Sequence, residues 1–289
     1  MRIVLLPALA AAALAGGAAA SGGAGISYWS DHPWPSLRSV RPDGSGSHLV
    51  YRTRQNAKRP VLSPDGRWIA FDGAPPGKPP LSDFDVQLVR PDGTGRRTIA
   101  AGPAKEIDPQ WSPDGRLVSF SRSQPGLAGW SVWVVRPSDG VTRRLGVGQG
   151  ARWSPDGRRI AFSRNATPAH GDLFAMDVRG GHLRRLTGTP EHEEPAAYSP
   201  DGGRLLFTRY DVDTGCGHVW VMPAGGGEAR RLTPLGTCDV AGAFSPDGAR
   251  IVFTSERTGH PQLFVMRADG GAQRNISRNA FADFATGWR

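Results

Sequence analysis

The stretch Trp153-Ser154-Pro155-Asp156-Gly157-Arg158-Arg159-Ile160-Ala161-Phe162-Ser163 reads as the end of one strand, a tight turn and an alternating second strand. Proline presets the first φ of the turn, and Asp-Gly supplies the positive φ that a tight hairpin needs. The tetrapeptide Ser-Pro-Asp-Gly starts at Ser63, Ser112, Ser154, Ser199 and Ser245, at intervals of 49, 42, 45 and 46 residues. Such a period is that of a four-stranded propeller blade. An aromatic precedes four of the five (Trp111, Trp153, Tyr198, Phe244), with Leu62 as the exception.

Working outward, each unit also holds an apolar strand that ends in a glycine turn, followed by a short strand. Val219-Trp220-Val221-Met222, Gly225-Gly226-Gly227 and Arg230-Arg231-Leu232-Thr233 are one such set. This element occurs six times, counting Leu37 to Gly44 and Val86 to Gly93. Each unit is therefore a meander of four strands, A to D. A lone meander cannot cover both of its faces, so the units must pack around a ring. The ends of the chain account for the missing sixth tetrapeptide. Ile26-Ser27-Tyr28-Trp29-Ser30 reads as a strand B, and Asp283 to Trp288 resembles a strand A up to its aromatic. The expected fold is an all-β, six-bladed propeller of four-stranded antiparallel blades, with the C-terminal strand completing the first blade. Closure of this kind removes open sheet edges.

The sequence has 289 residues, 39 of them Gly and 25 Pro, which suits many short strands. Residues 1–20 read as a signal peptide: Arg2, then an apolar run from Ile3 to Ala15, then Ala18-Ala19-Ala20 before Ser21. The expected domains are that peptide and a propeller over 21–289. Serine rather than cysteine stands directly after the cleavage site, and no later stretch is apolar enough to span a bilayer. Export to the periplasm or medium of a bacterium, without stable membrane insertion, follows as the expectation. Cys216 and Cys238, an even pair in an oxidising compartment, are expected to form a disulfide.

The pattern aromatic-Ser-Pro-Asp-Gly, an Ile/Phe strand, an apolar strand ending in Gly-Gly, then Arg-Leu-Thr resembles the TolB propeller repeat. Similar repeats occur in propellers attached to prolyl-oligopeptidase-like hydrolases and in WD-repeat-like exported proteins. The resemblance spans about Gly25 to Arg289 and implies the propeller. TolB itself carries an α/β domain before the propeller, whereas here the signal peptide is expected to lead almost directly into the first blade. The matching positions are turn and core positions, so no functional residue carries over.

The formal charge is +9, but lysine occurs only at Lys58, Lys78 and Lys105, and the arginines are spaced pairs. That pattern argues against nucleic acid as the partner. Arg96-Arg97, Arg143-Arg144, Arg184-Arg185 and Arg230-Arg231 fall on or just before strand D, where charge discourages sheet-to-sheet pairing. Gly-x-Ser-x-Gly is absent, and His192-Glu193-Glu194 lacks the second His of a zinc-protease helix. The Gly-rich stretches do not lead into helices, so phosphate cradling is not expected.

In a meander blade the A–B and C–D turns share one end, and here they are uniform. The B–C and D–A loops share the other end and are diverse, which marks that face for binding. Both cysteines fall there, as do His32, His170, His192, His218 and His260. No metal-ligand spacing is recognisable among them, and no metal or other cofactor is expected. Asp211-Val212-Asp213-Thr214-Gly215 resembles only a fragment of a calcium loop. The leading expectation is a monomeric, non-catalytic recognition protein. It would bind a protein or glycan through Trp130, His192, Glu193, Glu194, Tyr210, His218 and Asp239, with aromatics as anchors. The alternative is a stand-alone propeller enzyme, a sugar lyase or hydrolase, with an acid/His site at the channel mouth.

Overall fold

In the computed structural model the described residues are 25–31, 35–52, 57–74, 84–123, 129–165 and 170–288. Residues 1–20, read as a signal peptide, and His32 lie outside them, as do parts of the B–C loops of blades 1 to 4. Blade 1 contains β1 (Ile26–Ser30), β2 (Ser36–Val40) and β3 (His48–Arg52). Blade 2 contains β4 (Lys58–Leu62), β5 (Ile69–Gly73), β6 (Asp85–Val89) and β7 (Arg97–Ala100). Blade 3 has β8 (Glu106–Trp111), β9 (Val118–Ser123), β10 (Trp130–Val135) and β11 (Thr142–Val147). Blade 4 has β12 (Gln149–Trp153), β13 (Arg159–Asn165), β14 (Gly171–Asp177) and β15 (Arg184–Arg185). Blade 5 has β16 (His192–Tyr198), β17 (Arg204–Tyr210), β18 (Gly217–Pro223) and β19 (Arg230–Arg231). Blade 6 has β20 (Asp239–Phe244), β21 (Arg250–Ser255), β22 (Gln262–Arg267) and β23 (Arg274–Asn275). The last strand, β24 (Asp283–Trp288), returns to blade 1 and pairs antiparallel with β1, Ile26 opposite Trp288. Each sheet is a four-stranded meander, so the expected six-bladed, C-terminally closed ring is the observed one.

The tetrapeptide turns are built alike. In blade 3 the Ser112 hydroxyl donates to Asp114 Oδ1 at 2.6 Å and accepts from Leu117 N–H at 2.9 Å. Asp114 Oδ1 also accepts from Arg116 N–H at 3.0 Å, while Gly115 takes a φ of 69° that a side chain would resist. The aspartates are thus turn formers, and the hydrogen bonds they accept lower the pKa of Asp156, Asp201 and Asp247.

The core lies between blades. Phe207, Phe253, Phe162 and Phe120, from strands B, are fully buried and pack with strand C residues and with the aromatics that precede each tetrapeptide. Fully burying a Phe side chain contributes roughly 1.5–3 kcal/mol, so each interface between blades has its own driving force. Hydroxyls on strand B bind the next blade's strand A. Ser121 Oγ accepts from Gly150 N–H, Thr208 Oγ1 from Ala241 N–H and Thr254 Oγ1 from Ala285 N–H, all at 3.0 Å.

The arginine pairs do more than charge an edge. From equivalent positions on strand D, the guanidinium crosses to the next blade's C–D turn. Arg97 donates to Pro137 O at 2.8 Å, Arg143 to Val178 O at 2.7 Å and Arg230 to Asp269 O at 2.9 Å. Arg274 donates to Asp43 O at 3.4 Å and to Pro42 O at 2.5 Å, across the seam where the ring closes. Sequence reading missed this clasp because it joins residues some 40 positions apart.

Candidate functional site at the channel mouth

Strand A lines the channel, and each strand A from β4 to β24 carries a register shift. Four positions before the first three tetrapeptide serines stand Arg59, Asp108 and Gly150, with φ of 49°, 58° and 69°. Glycine tolerates that region, whereas the two charged residues sit there under strain, and such outliers concentrate at functional sites. Their side chains are fixed by partners. Arg59 Nη1 donates to Asp72 Oδ2 at 2.7 Å, and Asp72 Oδ1 accepts from Asp108 N–H at 3.2 Å. Arg152, 1% exposed, donates from Nη1 to Asp108 Oδ2 at 3.0 Å. Burial raises the Asp72 pKa although Arg59 opposes it. For Arg59, burial works against the charge, but Asp72, Asp108 and Glu194 outweigh it and raise its pKa. A buried ladder of two aspartates flanked by two arginines thus joins blades 2, 3 and 4.

Blade 5 contributes the facing group. His192, Glu194 and Tyr210 lie on the paired strands β16 and β17, with His192 opposite Tyr210. Gly171 N–H donates to His192 Nδ1 at 3.1 Å, which places the ring proton on Nε2, 3.2 Å from Glu194 Oε1. Tyr210 donates its hydroxyl to Glu194 Oε2 at 3.2 Å, and the two rings lie 5.6 Å apart. Burial opposes charge on His192, but the Glu194 hydrogen bond and the charges of Glu194 and Glu193 prevail and raise its pKa. Burial, then Glu194, push the Tyr210 hydroxyl well above its ordinary value. The arrangement can orient a polar ligand and hold or pass a proton between His192 and Glu194.

The other expected contact residues are dispersed. Glu193 is fully buried, paired with Arg209 at 2.7 Å and bonded by the Thr187 hydroxyl. Asp239 is equally buried and paired with Arg257 at 3.1 Å. Glu106 and Arg122 repeat the device in blade 3 at 2.9 Å. In all three the arginine also lies over an aromatic of strand C, at 4.2 Å for Arg209 on Trp220 and 4.3 Å for Arg122 on Trp133. These acids therefore hold their own blades together. His218 is buried, with burial lowering its pKa, and Trp130 is half-buried at the start of β10. His260 bonds to Asn279 O within blade 6, and Asp172 pairs with Arg185 in blade 4. Among the described residues no three His, Cys, Asp or Glu side chains gather in a way that could hold a metal. The Asp211 carboxylate accepts from Asp213 N–H, Thr214 N–H and Thr214 Oγ1, which makes that segment a turn. Sequence reading did not single out Arg59 or Arg152. Alignment of the repeats carries a signal for Arg152, whose counterparts in blades 5, 6 and 1 are Ala197, Ala243 and Gly287.

The cysteines are joined. Cys216 and Cys238, with Cα atoms 4.7 Å apart, tie the B–C loop of blade 5 to the D–A loop that follows it. Val212 and Leu235, 60% and 64% exposed, stand on the same two loops.

The sequence profile of the TolB beta propeller domain matches residues 78–211 and 196–286. No curated protein shows significant sequence similarity. Among solved structures, TolB from Acinetobacter baumannii superposes with a TM-score of 0.75 at 21% identity, covering 91% of this chain and 66% of that one. A putative TolB from Agrobacterium tumefaciens gives 0.68 at 21% identity, covering 88% and 89%. An oligogalacturonate lyase from Vibrio parahaemolyticus gives 0.58 at 15% identity, covering 80% and 71%. At these identities the likeness is one of fold. With its repeats, its closed ring and the profile match over most of its length, the chain belongs to the TolB beta propeller domain family.

Proposed function

We propose that this protein is an exported recognition propeller that binds a protein partner through the B–C and D–A loops. The observation that carries this reading is the pair Val212 and Leu235, apolar side chains more than half exposed on two loops pinned by one disulfide. Rigid, exposed apolar side chains beside polar ones are what a protein interface uses as anchors. Trp130, His192, Glu194 and Tyr210, partly exposed, extend the same face, with Glu193, Asp239 and His218 supporting it from beneath. The disulfide suits an oxidising compartment and so supports export. Among the described residues no helix is long and apolar enough to cross a membrane.

The test is affinity capture from envelope and medium fractions of the source cell, followed by binding measurements on the purified candidate. Val212→Asp with Leu235→Asp should weaken binding at least tenfold. Unchanged affinity in that double variant would overturn the reading.

One observation favours a second reading. The His192–Glu194–Tyr210 group is hydrogen-bonded within itself, and Glu194 acts electrostatically on Arg59, as suits a proton-handling site for a sugar. Under that reading, turnover of acidic or neutral oligosaccharides should be present and should vanish in His192→Ala, Glu194→Ala.

A further inference from the structure

The opposite face, where the A–B and C–D turns meet, carries a feature outside the reading above. Five residues after each tetrapeptide serine, at the start of strand B, stand Trp68, Leu117, Arg159, Arg204 and Arg250. In blades 2 and 3 this position is apolar. In blades 4, 5 and 6 it is arginine, and in blades 5 and 6 it lies over the aromatic that ends the next strand A. Arg204 sits 5.0 Å above Phe244 and Arg250 5.1 Å above Trp288. Arg159 acts on Tyr198, opposing the rise to about 12 that burial imposes on its hydroxyl.

At one equivalent register of strand D in the same blades stands a second arginine: Arg184, Arg230 and Arg274. Arg230 and Arg274 spend one or two donors on the next blade's turn and present the rest outward. By the equivalence of the repeats, three consecutive grooves, between blades 4 and 5, 5 and 6, and 6 and 1, carry the same two arginine positions. Between blades 5 and 6 the groove opens into a cleft lined by Arg204, Arg230, Arg267 and Asp269, with Ala249 and Ala268 between them. Ala249 is small where blades 3 and 4 have Arg116 and Arg158. The acids nearby are committed: Asp156, Asp201 and Asp247 to their turns, and Asp269 to Arg267 at 3.0 Å.

We propose that these three grooves form a curved track for a linear acidic polysaccharide, each guanidinium pair taking a carboxylate or sulfate. The planar fork of arginine matches such groups in a bidentate manner. Repetition at each blade step lets one polymer engage several weak sites at once. Nucleic acid is disfavoured because the aromatics are buried beneath the arginines, which leaves no ring for base stacking. A lipid surface is disfavoured because the cleft offers two alanines and no large apolar side chain to insert.

The experiment titrates the full chain with alginate oligomers, a carboxylate source, and heparin oligosaccharides, a sulfate source, at several salt concentrations. Saturable binding that weakens with salt is expected for at least one, and the stronger ligand identifies the source. Arg159→Gln, Arg204→Gln, Arg250→Gln should weaken it at least tenfold and flatten the salt dependence. Ala249→Glu, at an exposed position lining the cleft, should weaken it at least threefold even if the triple variant folds poorly. Arg67→Gln, Arg116→Gln, Arg136→Gln removes equal charge from the same face and should cost less than twofold. Equal losses in both triple variants, no binding of either glycan, or binding confined to polyphosphate, single-stranded DNA or anionic vesicles would overturn the proposal. Because Val212→Asp, Leu235→Asp lies on the other face, it should leave this binding intact, which separates the two readings.

Discussion

Ser163 shows how one substitution within a repeat changes an energetic role. Its counterparts Ser121, Thr208 and Thr254 each accept an N–H from the next blade. At the equivalent place in the blade after Ser163 stands Pro195, which has no N–H to give, and the Ser163 hydroxyl is buried without a hydrogen-bond partner among the described residues. Ser121→Ala should therefore cost about 1 kcal/mol, whereas Ser163→Ala should be neutral or stabilising. Urea denaturation of the two variants checks the contrast. Glu106 makes a pH-dependent case. Burial, with Asp85 adding to it against Arg122, pushes its pKa up to about 7 from an ordinary 4.5. Between those values the folded state binds the proton more tightly than the unfolded chain. Stability should thus fall as pH rises from about 4.5 through about 7, by on the order of 2 kcal/mol, and level off above. Glu106→Gln should flatten that slope in thermal melts recorded across pH. Residue chemistry was the least legible level of the sequence. Arg59 and Arg152 belong to no motif; strand pairing within blade 2 brings Arg59 to Asp72, and only the ring brings Arg152 to Asp108.

At the scale of the element, the four-strand unit was legible because each turn announces itself in local chemistry. Ser, Asp and Gly of the tetrapeptide act within five residues of one another, so sequence alone specifies the turn. The pairing of β24 with β1 was legible too, since its aromatic completes a count. The strand D arginines were not, because their acceptors are backbone carbonyls that leave no mark in composition. Arg143→Ala should cost about 1 kcal/mol, as expected for a partly solvated hydrogen bond from a charged donor. Combining it with Arg97→Ala and Arg230→Ala should give a nearly additive loss, since the three clasps lie in separate grooves. Chemical denaturation of the single and triple variants measures both figures.

At the scale of the whole molecule, the ring is sealed twice near its ends, by β24 beside β1 and by Arg274 on the turn at Asp43. Trp288, 2% exposed, sits in the core cluster that joins blades 6 and 1. Trp288→Ala should cost about 3–5 kcal/mol. Ending the chain at residue 282 should do more, replacing one cooperative calorimetric transition by a broad, lower one. Most of this level followed from the repeat count, whereas the division of labour between the two faces emerged only from side-chain positions. Closure by the last strand also sets an order of events. A chain that emerges from a ribosome or an export pore amino end first presents β1 early and its inner partner last. The edge of β1 therefore waits, exposed, for the whole length of synthesis or passage. Whatever shields that edge in the interval, a chaperone or sheer speed, governs the yield of folded protein.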